Sequence, residues 1–258
     1  MSYYELCNTV AQAVEKTVLP LIGKTEAKTG MGMGADGTET ERIDKIAEDA
    51  ALSVLESDGR SMRLVSEELG EKIIGSKPEF TVILDPVDGT FNAVNNIPFF
   101  CVPVAIGDSD LSDTRYGYVK NLVNGDVYTA EYGHGAFLNN NMIHVSSRSY
   151  FPEMSFLSYS HHPYAVPANN HRVRRVRIFG SAALELCYIA SGIFDAFIDM
   201  REMLRVTDIA AGKLIVEEAG GMVTDREGAQ LETPLDVKQR LNLVASNGLS
   251  HNKLLELV

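Results

Sequence analysis

The chain has 258 residues, 23 Lys+Arg against 35 Asp+Glu for a formal net charge of −12, and 45% hydrophobic residues, a balance that builds a sizeable core and excludes wholesale disorder. The acidic surplus argues against a protein that coats nucleic acid, whose affinity rests on a basic face, and no apolar run nears the roughly 20 residues that span a bilayer. With Cys7, Cys101 and Cys187 too scattered for a disulfide framework and an acid instead of bases in the opening MSYYELCNTV, the expectation is a cytoplasmic globule without a signal peptide.

In chain order, Tyr4, Cys7, Val10, Ala11, Val14, Val18 and Leu21 recur at three- and four-residue intervals, which predicts an amphipathic helix over 3–22, stopped at Pro20 and Gly23. The stretch TGMGMGADGTETE, with Gly30, Gly32, Gly34 and Gly37, predicts no regular structure. Ile43, Ile46, Ala47, Ala50, Ala51, Val54 and Leu55 restore the helical period, with Thr40 as candidate N-cap. Strands follow at 63–66 (RLVS), 80–84 (FTVIL) and 101–107 (CVPVAIG), and then a hairpin in which YGYVKNL and DVYTA flank Val123-Asn124-Gly125. Further on come a strand at 176–179, a helix at 181–190, a strand at 194–199 (FDAFID), a helix from about 208 to 219, strands MVTD and LNLVAS, and a short last helix. The alternation is too irregular for a simple parallel array and predicts layered α/β, two sheets with helices between or beside them.

The densest chemical signal is FTVILDPVDGTFN. A buried-type strand ends at Asp85, Pro86 forces extended geometry on it, and Asp88 arrives three residues later, so two carboxylates on one turn can converge on a hard cation. The competing reading is a plain capped turn, since Asp-Pro and Asp-Gly are common turn pairs. Ser66-Glu67-Glu68 ends another strand and Asp208 opens a helix, so three element ends each offer a carboxylate. Oxygen donors without the six histidines select Mg²⁺ or Mn²⁺ over zinc. Gly32–Gly37 literally contains GxGxxG, but GKTEAKT before it is no strand, which argues against a dinucleotide site. Four arginines crowd 172–177. On a strand, Arg175, Arg177 and Phe179 share one face and Arg172 and Arg174 the other, either to hold an anion near Gly180-Ser181 or as a solvated edge or subunit interface.

These residues resemble the Mg²⁺-dependent, Li⁺-sensitive phosphatases of the inositol monophosphatase and fructose-1,6-bisphosphatase superfamily. Glu67-Glu68, DPVDGTFN and DIAAG stand in that family's order. GMGADGT, SEELG, DPVDGTFNAVNNIP and RIFGSAALELC are similar to its archaeal-type branch, which handles both fructose bisphosphate and inositol phosphate.

The resemblance implies an αβαβα sandwich of the sugar-phosphatase type, built as one phosphatase unit over 1–258 with interleaved halves of about 1–145 (metal-binding, α+β) and 146–258 (α/β). It implies two or three Mg²⁺ held by Glu67, Asp85, the Val87 carbonyl, Asp88 and Asp208, with Glu68 behind them. Asp36 and Thr90, with Glu67, would activate water for in-line attack. Asp88, the Gly89 and Thr90 amides, Arg177, Ser181 and Arg201 would hold the substrate. Glu185 would either meet substrate hydroxyls or face solvent, and Tyr159 and Tyr164 would either line the pocket or belong to a plain loop. Thr207 stands where many relatives have Trp, which leans toward a broader sugar-phosphate pocket. The implied assembly is a homodimer that takes a small sugar phosphate, fructose 1,6-bisphosphate first and inositol 1-phosphate second, and neither nucleic acid nor membrane. Two other classes fit parts of the pattern. One is an aspartyl-phosphate phosphatase of the haloacid-dehalogenase type with Asp85 as nucleophile, although that chemistry wants Asp-x-Asp. The other is a non-catalytic sugar-phosphate or metal sensor.

Overall fold

The computed structural model describes residues 1–159 and 173–258. Arg172 and Tyr164 lie outside the described residues. The first helix, α1 (Tyr3–Val18), buries Leu6, Cys7, Val10, Ala11, Val14 and Val18 along one stripe. It stops earlier than its periodicity predicts, because Pro20 lacks an amide proton and a single 3₁₀ turn, Leu19–Leu21, ends the run. The glycine-rich stretch is a finding against expectation: β1 (Gly30–Met33) and β2 (Glu39–Glu41) form an irregular antiparallel hairpin, since glycines with no side chain to pack still offer backbone pairing. In α2 (Arg42–Ser57) the N-cap is Glu41 and not Thr40, whose hydroxyl instead donates to Glu68 Oε2.

The large mixed sheet holds β3 (Met62–Ser66), β4 (Gly70–Ile74), β5 (Phe80–Leu84), β6 (Cys101–Gly107), β7 (Tyr116–Asn121), β8 (Val127–Glu131), β9 (Gly135–Leu138) and β10 (Asn141–Ile143), in spatial order β10-β9-β8-β7-β6-β5-β3-β4. A short helix, α3 (Thr90–Val94), follows β5. The second sheet collects β11 (Ser155–Tyr159), β12 (Arg175–Arg177), β13 (Ala196–Leu204), β14 (Met222–Thr224) and β15 (Leu241–Ser246), ordered β12-β11-β13-β15-β14. Helices α4 (Ala182–Ala190) and α5 (Val206–Glu218) lie between the sheets, and α6 (His251–Leu255) packs outside the second.

Side-chain alternation sets this layering. In β5 and β6, Val82, Leu84, Val102, Val104 and Ile106 join the core under α1 and α2, whereas Ile83, Cys101 and Ala105 face the central helices. In β13 and β15, Phe197, Leu243 and Ala245 face those same helices, and Ala196, Ile198 and Val244 face the outer core with Leu254. The result is helix pair, sheet, helix pair, sheet, helix: the layered α/β fold the sequence predicts. Because α5 is covered from both sides, every residue from Val206 to Val216 is buried and no polar face survives.

The central helix sits close to the first sheet only because β7 gives it room. A Cβ placed on Gly117 would lie 2.8 Å from the Ala211 carbonyl oxygen, a backbone atom that cannot yield alone. Gly117→Ala should therefore push α5 away and cost about 1–3 kcal/mol of unfolding free energy, measurable by urea titration.

Candidate active site

Strands β3 and β5 are parallel neighbours with Ser66 opposite Leu84. The residues that follow them, Glu67 and Asp85, therefore leave the sheet side by side. The turn at Asp85 is held by its own carboxylate, whose Oδ1 accepts the Val87 amide at 2.9 Å. Asp208 sits in the first turn of α5, where its Oδ2 accepts the Arg205 amide at 2.9 Å. One carboxylate oxygen from each of Glu67, Asp85 and Asp208 lies within 4.8 Å of the others. Asp85 and Asp208 are only 2% and 5% exposed. Burial, with its negative neighbours adding, pushes the Glu67 carboxyl up to about 8 despite the nearby Arg205, and raises Asp85 well above the carboxylate range. An all-oxygen, dry, mutually repelling donor set without histidine or cysteine fits a hard divalent cation, which would relieve the repulsion.

Two arginines that sequence reasoning did not single out complete the electrostatics. The Arg205 guanidinium donates from Nη1 to Asp36 Oδ2 at 2.9 Å and to Glu67 Oε1, and from Nε to Asp208 Oδ1 at 3.0 Å. Arg240 Nη2 donates to the Asp36 backbone carbonyl at 2.9 Å. Asp36, in the β1–β2 turn, also accepts from the Thr38 amide and hydroxyl at 2.8 Å each. Burial opposes its charge, but Thr38 and Arg205 outweigh that and hold the carboxyl below its ordinary range.

Asp88 lies beside that trio and is tied to a different helix. Its Oδ2 accepts from Ser181 Oγ and the Ala183 amide, both at 2.7 Å, which ties the β5 turn to the start of α4. Burial and the Asp208 charge push Asp88 up to about 6, with the Ser181 and Ala183 bonds pulling the other way. Gly89 joins this turn to α3 at φ +96°, and a Cβ there would lie 3.0 Å from the Phe99 carbonyl oxygen, so only glycine fits. The Thr90 hydroxyl lies 2.9 Å from both Asp44 Oδ1 and the Val87 carbonyl. Asp44 is a residue the sequence reading missed. Its signal was there: Asp44 and Glu48 fall one position beyond the apolar Ile43, Ala47, Ala51 stripe, and both are buried. Burial pushes Asp44 up to about 7, against the hydrogen bond from Thr90.

The substrate-side residues are more dispersed. Arg177 is exposed on the edge strand β12 and donates to the Val176 carbonyl at 2.8 Å. Arg201 forms a two-pronged pair with Asp199 at 3.0 and 2.6 Å and lies over the Tyr159 ring at 4.2 Å. Glu185 does not face solvent: fully buried, it accepts from the Tyr159 hydroxyl at 2.6 Å and the Phe179 amide at 2.7 Å. Tyr159 itself accepts from the Gly180 amide at 2.8 Å, so this buried pair braces the turn that carries Ser181.

Residues 3–258 match the inositol monophosphatase family. The chain is 45% identical over 260 residues to a fructose-1,6-bisphosphatase/inositol-1-monophosphatase of Methanothermobacter thermautotrophicus, covering 96% of this chain and 93% of that one. It is 40% identical over 277 residues to a bifunctional NADP phosphatase/NAD kinase of Methanococcus maripaludis, covering 98% of this chain but 49% of the relative. A solved inositol monophosphatase–fructose 1,6-bisphosphatase superposes with a TM-score of 0.91 at 35% identity over 100% of both chains. The chain belongs to the inositol monophosphatase family, a family of metal-dependent phosphatases. No helix among the described residues is long and apolar enough to cross a membrane.

The Asp44 geometry makes a pH prediction. Its carboxyl rises from an ordinary 3.8 to about 7 on folding, so the folded state binds its proton more tightly. The stability this gives is complete below the unfolded value and is lost as pH rises through the folded one. In EDTA-dialysed protein, Asp44→Asn should leave the melting temperature little changed near about pH 4 and raise it relative to the parent above about pH 7, as read by thermal melts across the range.

Proposed function

We propose that this chain hydrolyses phosphate monoesters of small sugars and cyclitols, fructose 1,6-bisphosphate first and inositol 1-phosphate second. The observation that carries the reading is the carboxylate trio of Glu67, Asp85 and Asp208 standing beside the Asp88–Ser181 and Thr90–Asp44 pairs. Glu67, Asp85, Asp208, the Val87 carbonyl and Asp88 would hold two or three Mg²⁺, or Mn²⁺ in its place. The cation supplies Lewis acidity and charge neutralisation for displacement at phosphorus.

The chain's own groups then have distinct tasks. The Thr90 hydroxyl orients the attacking water and passes a proton toward Asp44, whose carboxyl, poised near about 7, suits a base working at neutral pH. Asp36, expected from the family resemblance to share this task, is the poorer base because Thr38 and Arg205 stabilise its charge. In this reading Asp36 anchors the β1–β2 hairpin over the site. Asp88 and Ser181 fix the turn that presents the Gly89 and Thr90 amides to phosphate oxygens. Arg201, already aligned by Asp199 and Tyr159, is suited to a second, distal phosphate, whereas Arg177 would give up its bond to the Val176 carbonyl to join it. The same reading makes 1–145 and 146–258 two halves of one phosphatase unit, working as a homodimer in the cytoplasm.

The similarity to a bifunctional NADP phosphatase/NAD kinase, over about half of that relative, favours a second substrate class: a phosphate ester on the ribose of a dinucleotide. Phosphate release should therefore be measured on fructose 1,6-bisphosphate, inositol 1-phosphate and NADP side by side, with Mg²⁺ titrated. The first two should turn over, EDTA should abolish release, and Asp85→Asn or Asp208→Asn should lower kcat/KM by about 10³-fold or more. Hydrolysis of an ester made isotopically chiral at phosphorus should invert the configuration, as a single in-line attack by water requires. Retention would instead indicate two displacements and a covalent route through Asp85.

A further inference from the structure

Arg205 stands at the centre of the site without a place in the chemistry so far described. Its side chain is 19% exposed, and its fork is spent on three carboxylates from three separate elements: Asp36 of the hairpin, Glu67 after β3, and Asp208 of α5. Two of these belong to the trio whose oxygens lie within 4.8 Å of one another. The guanidinium hydrogen-bonds one oxygen of Glu67 and both oxygens of Asp208, the second at 3.2 Å. A divalent cation recruiting Glu67 and Asp208 therefore needs the oxygens that Arg205 already holds. It also meets a fixed positive charge only a few ångströms away, in surroundings that screen poorly.

We propose that Arg205 is a built-in competitor for the divalent cation: a positioning residue that holds Glu67, Asp208 and the Asp36 hairpin together, lowers the site's affinity for the ion, and leaves Glu67 and Asp208 when the ion binds. The inference rests on the cation site proposed above. Two features favour exchange over permanent pairing. Arg205 bonds Glu67 and Asp208 but makes no hydrogen bond to the more deeply buried Asp85, which accepts the Val87 amide instead. The hairpin, meanwhile, has a second anchor: Arg240 holds the Asp36 backbone carbonyl and lies 3.5 Å from its carboxylate, so the turn keeps a cationic partner when Arg205 departs.

Mn²⁺ binding, followed by electron paramagnetic resonance of the free ion, tests this without reference to turnover. Arg205→Gln should bind Mn²⁺ about tenfold more tightly than the parent, and Arg205→Lys, which keeps the charge but loses the fork, should fall between. Arg240→Gln, which removes a positive charge near Asp36 but frees no oxygen of the trio, should stay within about twofold of the parent. A loss of fold or packing can only weaken binding, so a gain in affinity separates competition from a structural role. Equal or weaker Mn²⁺ binding by both Arg205 variants, with the parent binding normally, overturns the proposal and leaves the cation site standing. An equal gain in Arg240→Gln also overturns it, in favour of general charge. Mn²⁺ binding by none of the proteins overturns the cation site and this proposal with it.

Discussion

Carboxylate repulsion in a dry place is the constraint around which the molecule is arranged. Glu67, Asp85 and Asp208 are brought together by elements that have no freedom to separate them: two parallel strands in register, and a helix buried between two sheets. In a medium that screens poorly, burial makes ionisation costly and raises the Glu67 and Asp85 carboxyls above their ordinary range. Everything nearby answers that charge. Arg205 and Arg240 reach in from the second half of the chain, and Ser181 and the Ala183 amide take up Asp88.

The fold was legible in the sequence where a strand or helix carries its own signal. FTVIL, CVPVAIG and LNLVAS are strands with the bounds their composition predicts, because apolar β-branched runs between polar turns have few other uses. The carboxylates at their ends were legible for the same reason, since a strong element places its terminal residues. Short, weakly patterned pieces were not. GEKII (β4) and SFLSY (β11) pair only because neighbours are already there, and the glycine-rich hairpin draws its order from backbone pairing that no side chain advertises.

The site was half legible. Asp85, Asp208 and Glu67 stand on motifs, but Arg205 and Asp44 act through partners 138 and 46 residues distant, and no local pattern announces such a pair. The sequence does place Arg205 three residues before Asp208, a spacing that faces both to one side of a helix start. The same spacing describes countless solvated pairs, and only the packing of α5 behind β5 and β6 turns this one inward. Glu185 shows the converse: its helical position left solvent and substrate open as partners, and the structure gives it Tyr159 and the Phe179 amide instead.

A net charge of −12 and an anionic substrate are at odds unless something at the site reverses the local sign. With the proposed cation at Glu67, Asp85 and Asp208 that reversal belongs to the ion, since without it Arg205 is tied to carboxylates and Arg240 to the Asp36 carbonyl. The most direct measurement is the affinity for inorganic phosphate, by isothermal titration calorimetry, with and without Mg²⁺. Binding should appear with Mg²⁺ and vanish in EDTA. Equal phosphate affinity in EDTA would contradict that dependence, and would move the work of anion recognition from the cation to the arginines.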